Sequence, residues 1–135
     1  MHWPLSAPGR RLPLLLSVAA ALLLLSGCVT PIQRPADCEA ASVERTATLT
    51  GARRLEPQTI AVCRDQAVTI NVEVQTDGVL HVHGYDDQMT AVVVTAGSPV
   101  TLSFDAVHSG QFVIELHTSD GPTETGAGIL TVDEP

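Results

Sequence analysis

Apolar and polar residues alternate along the chain from about residue 43 onward. The clearest run is AVTINVEVQ, residues 67–75, in which every second residue is apolar: Val68, Ile70, Val72 and Val74. A period of two is typical of a β-strand with one buried face. Comparable short runs, separated by turn residues, occupy 45–51, 58–64, 67–75, 78–86, 89–95, 100–106, 109–118 and 126–134. This pattern predicts seven or eight strands and no helix, hence an all-β sandwich or barrel.

The first 28 residues follow a different pattern. Arg10 and Arg11 precede an apolar run over residues 12–25, which is too short to cross a bilayer comfortably. A basic start, a short apolar centre and small residues before a cleavage position are typical of a secretory signal peptide. The segment LSGC, residues 25–28, resembles the end of the bacterial lipoprotein signal. That resemblance implies cleavage before Cys28 and acylation of the Cys28 thiol.

These features predict three parts of the chain. Residues 1–27 are the signal peptide, residues 28–42 are a lipidated tether containing Pro31 and Pro35, and residues 43–135 are one β-domain. We therefore expect an extracytoplasmic protein of the cell envelope, held at the membrane by the lipid on Cys28. Val29 follows the cysteine, where an aspartate would favour the inner membrane in the enteric signal, so the outer membrane is favoured in a cell that has one.

The charge of the mature chain excludes one class of partner. Two of the seven basic residues lie in the predicted signal peptide, so five basic residues face fifteen acidic ones and the net charge is −10. Such a chain repels phosphate backbones, which argues against nucleic-acid binding. It also lacks a basic patch for anionic lipid, so the acyl chains must provide the membrane contact. No protein partner is indicated by the sequence.

Two cysteines remain once Cys28 is assigned to the lipid anchor. Cys38 and Cys63 form a lone pair, and such pairs usually oxidise outside the cytoplasm. Their disulfide would close a loop of about 26 residues and stabilise the fold by about 3 kcal/mol. A metal site built on this pair is disfavoured by its wide spacing.

The order of strands and motifs resembles a cupredoxin, the β-sandwich of the blue-copper proteins. The segment DGVLHVHGYD, residues 77–86, resembles the strand that ends in a copper-binding histidine, with His81 at the ligand position. The segment SGQFVIELH, residues 109–117, resembles a later strand that lies beside the first in the family, and GAGILTV, residues 126–132, resembles the strand after that. The likeness runs from about Val43 to Val132 and implies a cupredoxin-like Greek-key sandwich.

The same resemblance exposes a departure from blue-copper chemistry. The copper-binding cysteine would fall near Leu116, which cannot supply a thiolate, and no methionine follows in TSDGPTETGAG, residues 118–128. A trigonal site of two histidines and one cysteine is therefore excluded, and with it blue-copper electron transfer.

Histidines supply a different candidate site. In the cupredoxin arrangement the strands carrying HVH and ELH are neighbours, so His81, His83, Glu115 and His117 would share one sheet face. Three imidazoles and a carboxylate suit copper(II), with zinc(II) as the alternative. His108 lies in a predicted turn and is the weakest candidate. Asp86 and Asp87 are interpreted as a solvated turn.

The function predicted from these features is metal binding on a cell-envelope lipoprotein, without catalysis. Two alternatives stay open. The first is a metal-free structural or partner-binding lipoprotein. The second is an enzyme similar to Cu/Zn superoxide dismutase, because the segment HVH, residues 81–83, resembles the copper-binding motif of that family. The absence of any histidine or cysteine between His83 and His108 argues against this alternative, since the zinc loop of that family needs such ligands.

Overall fold

A computed structural model describes residues 34–120 and 125–135 of the chain. These residues form nine strands, whose bounds are β1 Ser42–Leu49, β2 Leu55–Glu56, β3 Thr59–Cys63, β4 Ala67–Val74, β5 Gly78–Val82, β6 Val92–Val94, β7 Val100–Asp105, β8 Gly110–His117 and β9 Thr125–Asp133. Over this part of the chain we find no helix with the length and apolar character needed to cross a membrane. The predicted signal peptide, the lipidation position Cys28 and the first part of the tether lie outside the described residues.

The nine strands form two sheets. The first has the order β2-β1-β4-β7 and the second has the order β3-β9-β8-β5-β6. The pairs β1–β4 and β3–β9 are parallel, and all other pairs are antiparallel. The prediction of an all-β sandwich is therefore confirmed.

The alternating apolar residues of both sheets meet in one core. Along β4 the four apolar residues that define the alternation are buried, whereas the polar residues between them are partly or fully exposed. Burial of one face on each strand explains why the period of two predicts the strands. The largest side chains that are fully buried in this core are Tyr85, Leu49, Leu55, Ile70, Leu80, Leu102, Ile114, Leu116 and Leu130.

Several strand boundaries differ from the predicted ones, and β1 begins at Ser42, the last residue of the predicted tether. The predicted strand 78–86 ends at Val82, because Gly84 takes a positive φ of 90° and the chain turns there. The predicted strand 89–95 is reduced to Val92–Val94. The two-residue strand β2 was not predicted, since two residues are too few to show an alternation.

The segment before β1 is held against the domain. Cys38 and Cys63 form a disulfide with their Cα atoms 5.2 Å apart. The buried amide of Gln66 donates to the carbonyls of Asp37 and Ala40 at 2.8 and 3.0 Å, and its oxygen accepts from the Cys63 amide. Hydrogen bonds of this kind satisfy a polar side chain that would otherwise be costly to bury. The disulfide predicted from the cysteine count is present.

Arg45 forms a second link to the same segment. Its guanidinium donates two hydrogen bonds to the Asp37 carboxylate, each 2.9 Å long, and a third to the Ala61 carbonyl. The hydrogen bond from Arg45 holds the pKa of the Asp37 carboxyl below its ordinary value of 3.8. Residues 34–41, predicted as the end of a tether, thus contact the β-domain directly.

Candidate metal centre

The pairing of β5 with β8 brings the candidate ligands onto one face of the five-stranded sheet. His81 lies opposite Glu115, and Val79 lies opposite His117. Leu80 and Val82 are buried in the core, so the side chain of His81 between them faces outward. A β-bulge between Ile114 and Glu115 interrupts the β8–β9 register beside this cluster.

Three donor groups converge at this position. The Nε2 atom of His81 lies 3.0 Å from Glu115 Oε2 and 2.9 Å from His117 Nε2. The distance between His117 Nε2 and Glu115 Oε2 is 3.8 Å. One donor atom from each of the three residues thus lies within 4.8 Å of the others. Ligands held about 2.1 Å from a tetrahedral zinc ion are about 3.4 Å apart, so these three need only small shifts to bind one ion.

His83 stands at the edge of this cluster. Its Nδ1 atom is 3.9 Å from Glu115 Oε2, and its side chain is 70% exposed. By contrast, the side chains of His81, Glu115 and His117 are 15%, 20% and 34% exposed. The structure therefore brings three of the four predicted residues together and leaves the fourth beside them. The reason is that β5 ends at Val82, so His83 begins the turn.

The turn after β5 is organised by a buried tyrosine. The Tyr85 hydroxyl donates to the His108 carbonyl at 2.6 Å and accepts from the His108 amide at 3.1 Å. Its ring packs against Phe104 and Phe112. Burial raises the pKa of the Tyr85 hydroxyl above its ordinary value of 10.0. The His108 ring lies edge-on to the Tyr85 ring, with 5.8 Å between centroids, and is not part of the donor cluster.

The turn also places Asp86 beside the cluster, which the sequence analysis missed. Asp86 Oδ1 lies 3.3 Å from His81 Nδ1, on the side of the ring away from Glu115. Desolvation alone would raise the pKa of the Asp86 carboxyl, but hydrogen bonds from the Gly84 amide and from His81 outweigh it and lower the pKa below 3.8. The prediction of a solvated turn did not include this contact, because Asp86 lies five residues after His81 and that spacing is not typical of any regular contact along a strand.

Comparison with known proteins relates this fold to copper proteins. No protein-family model and no curated protein sequence matches the chain. A multicopper oxidase, mgLAC, matches with a TM-score of 0.55 and 22% identity, over 70% of this chain and 39% of the oxidase. Auracyanin A, a blue copper protein from Chloroflexus aurantiacus, matches with a TM-score of 0.54 and 13% identity, over 68% of this chain and 99% of auracyanin. The domain has a cupredoxin-like fold.

A second oxidase extends this relationship and corrects one prediction. The blue copper oxidase from Nitrosomonas europaea matches with a TM-score of 0.55 and 20% identity, over 69% of this chain and 39% of the oxidase. The prediction that the protein is not an enzyme is therefore wrong, because cupredoxin-like domains of this shape occur within oxidases. The chain spans about two fifths of each oxidase, and at these identities the likeness shows the fold alone.

The residues of this cupredoxin-like domain do not fit a blue-copper centre. Leu116, the residue at the expected cysteine position, is fully buried and faces the core, on the side of the sheet opposite His81. Cys38 and Cys63 are joined to each other, so neither offers a thiolate within the described part of the chain. The donor set on the outer face instead consists of two imidazoles and one carboxylate, which suits copper(II) or zinc(II).

Proposed function

We propose that the cupredoxin-like domain binds one divalent transition-metal ion through His81, Glu115 and His117. The observation that carries this proposal is the convergence of one donor atom from each residue within 4.8 Å. His83, with Nδ1 at 3.9 Å from Glu115 Oε2, could complete a fourth coordination position. Copper(II) is favoured over zinc(II), because nitrogen and oxygen donors generally bind copper(II) more tightly.

The role we propose for the bound ion is storage or transfer of the metal, not electron transfer. Fast electron transfer in this fold uses a thiolate ligand, and the cluster contains none. The partly exposed His117 and the largely exposed His83 leave the ion accessible from the outer sheet face. An accessible site permits exchange of the ion with another ligand.

We further propose that the domain is displayed at the cell envelope by a lipid on Cys28. The first 28 residues support this proposal, because a basic start is followed by an apolar run and by the segment LSGC. A Cys28→Ser variant should move from the membrane fraction to the soluble or unprocessed fraction and should take up no labelled palmitate. A wild-type protein that carries no lipid would contradict this part of the proposal.

Metal titration of the full chain tests the binding site. The wild-type protein, purified in detergent and stripped with a chelator, should bind one copper(II) or zinc(II) per chain in isothermal titration. His81→Ala should abolish this binding, and His83→Ala should weaken it less, because His83 lies at the edge of the cluster. His108→Ala is the matched control, since it removes an exposed histidine outside the cluster. Equal affinities in all four proteins would refute the site.

A metal-free role is the second candidate, and one observation favours it. His81 lies 3.3, 3.0 and 2.9 Å from Asp86, Glu115 and His117, so direct contacts between side chains can join the two strands. Such a network could serve only to join β5 and β8 on an envelope protein that binds a partner. Absence of binding by the wild-type protein in the titration above would overturn metal binding and favour this second role.

A further inference from the structure

We propose that Asp86 is a positioning residue that fixes His81 as an Nε2 ligand. This inference rests on the proposed metal site. The two nitrogens of the His81 ring face different groups: Nδ1 lies 3.3 Å from Asp86 Oδ1, whereas Nε2 faces Glu115 and His117 at 3.0 and 2.9 Å. Asp86 therefore contacts the ring on the side that the metal would not occupy.

The chemistry of the imidazole ring explains why this contact matters. A neutral imidazole carries one N–H donor and one lone pair, and the group bound at one nitrogen decides which nitrogen keeps the lone pair. When a metal ion is bound at Nε2, that nitrogen supplies its lone pair, and the hydrogen on Nδ1 donates to the Asp86 carboxylate, which only accepts. Ligating histidines in proteins usually donate their second N–H to a carboxylate or carbonyl in this way.

The turn between β5 and the following segment delivers Asp86 to this position. Gly84 has φ of 90°, and a Cβ at this residue would lie 3.0 Å from the Phe112 ring. Tyr85 is then fully buried and held by His108, which fixes the chain one residue before Asp86. The Asp86 side chain is 68% exposed, and its Oδ1 atom lies 3.3 Å from His81 Nδ1. The motif HVHGYD thus combines a ligand, a turn, a core anchor and an orienting carboxylate.

The neighbouring Asp87 supplies a matched control. It carries the same charge one residue further along the chain, and its carboxylate accepts from the Gln88 side chain at 3.3 Å. Asp87→Ala and Asp86→Ala change the net charge equally, so general attraction of a cation to an acidic surface would weaken equally in both. An orienting role predicts an effect at Asp86 alone.

The experiment combines zinc titration with measurement of the His81 Nδ1 proton in the full chain. Asp86→Ala should weaken zinc binding about 10- to 100-fold. Asp86→Asn, whose amide oxygen still accepts from Nδ1–H, should recover much of that loss, and Asp87→Ala should bind like the wild type. In the zinc-bound protein, the His81 Nδ1 proton should exchange with water slowly in the wild type, because it donates to Asp86, and faster in Asp86→Ala.

The outcomes separate this inference from the proposed function. If the wild type binds zinc and Asp86→Ala binds it equally well, the site stands and the positioning role is overturned. Equal weakening in Asp86→Ala and Asp87→Ala, or unchanged exchange of the Nδ1 proton in Asp86→Ala, also overturns the positioning role. If the wild type binds neither zinc nor copper, the proposed function fails and this inference fails with it.

Discussion

The Nε2 atoms of His81 and His117 lie 2.9 Å apart across the β5–β8 pair. The two residues are not directly opposite each other, because His81 pairs with Glu115 and His117 pairs with Val79. They are diagonal neighbours on the same face, at a separation that long side chains can bridge. This diagonal contact, with Glu115 Oε2 at 3.0 and 3.8 Å from the two Nε2 atoms, defines the candidate metal centre.

Loss of His117 should disrupt that centre without disturbing the fold. His117→Ala removes one of three donors, so we expect affinity for copper(II) or zinc(II) to fall more than the roughly 100-fold that an outer-shell substitution can cost. The measurement is isothermal titration of the full chain, with the thermal unfolding midpoint recorded beside it. The fold should tolerate the change, because His117 lies on the outer sheet face. A variant that binds metal as tightly as the wild type would remove His117 from the site.

A thiol at position 116 should not create a blue-copper centre. The Leu116→Cys side chain would face the core, whereas His81 and His117 face outward, so copper could not contact both groups. Copper(II) added to this variant or to the wild type should give no intense thiolate-to-copper absorption in the visible range. The variant should also unfold more easily, by about 2 kcal/mol, because a smaller side chain leaves a cavity in the core. An intense blue band would contradict this assignment of the two faces.

The disulfide should account for a measurable part of the stability. The Cys38→Ser/Cys63→Ser double variant should lose about 3 kcal/mol in urea unfolding, since its unfolded chain is no longer constrained by the closed loop. Intact mass after alkylation without reductant should show no label on Cys38 or Cys63 in the wild type. Wild-type protein unfolded in the presence of reductant is the control and should match the variant. Equal stability of the oxidised and reduced proteins would contradict the prediction.

The Asp37–Arg45 ion pair should make the free energy of unfolding depend on pH in the acid range. The pKa of Asp37 is lower in the folded state than in the unfolded state. Its contribution to the free energy of unfolding is therefore complete above pH 3.8, the ordinary pKa, and is lost as the pH falls through the pKa of the folded state. The wild type should therefore be more stable than Asp37→Asn above pH 3.8, and the difference should shrink below it. Denaturant unfolding at several pH values measures this difference.

The control for that prediction is a variant that lacks Arg45, the partner of Asp37 in the ion pair. In an Arg45→Ala background, Asp37→Asn should have little pH-dependent effect, because the guanidinium that lowers the pKa of Asp37 is gone. A pH-dependent difference of the same size in both backgrounds would show that Arg45 does not cause it.

The sequence by itself determined the strands and the direction in which their side chains point. Burial of Leu80 and Val82 follows from a period of two, and it leaves His81 on the opposite face. The same local rule separates Leu116 from Glu115 and His117. The residue types themselves exclude a thiolate ligand at this place, because position 116 is a leucine, and they supply the histidines and the carboxylate of the candidate metal centre.

Only the tertiary structure decided which of these residues meet. The register of β5 against β8 joins segments more than thirty residues apart, as in the pair His81 and Glu115, and such pairing depends on packing across the whole sandwich. The end of β5 at Val82 leaves His83 at the edge, and the anchored turn brings Asp86 to His81. Alternation along a strand is local and visible in the chain, whereas register and turn geometry arise from long-range packing that no short segment encodes.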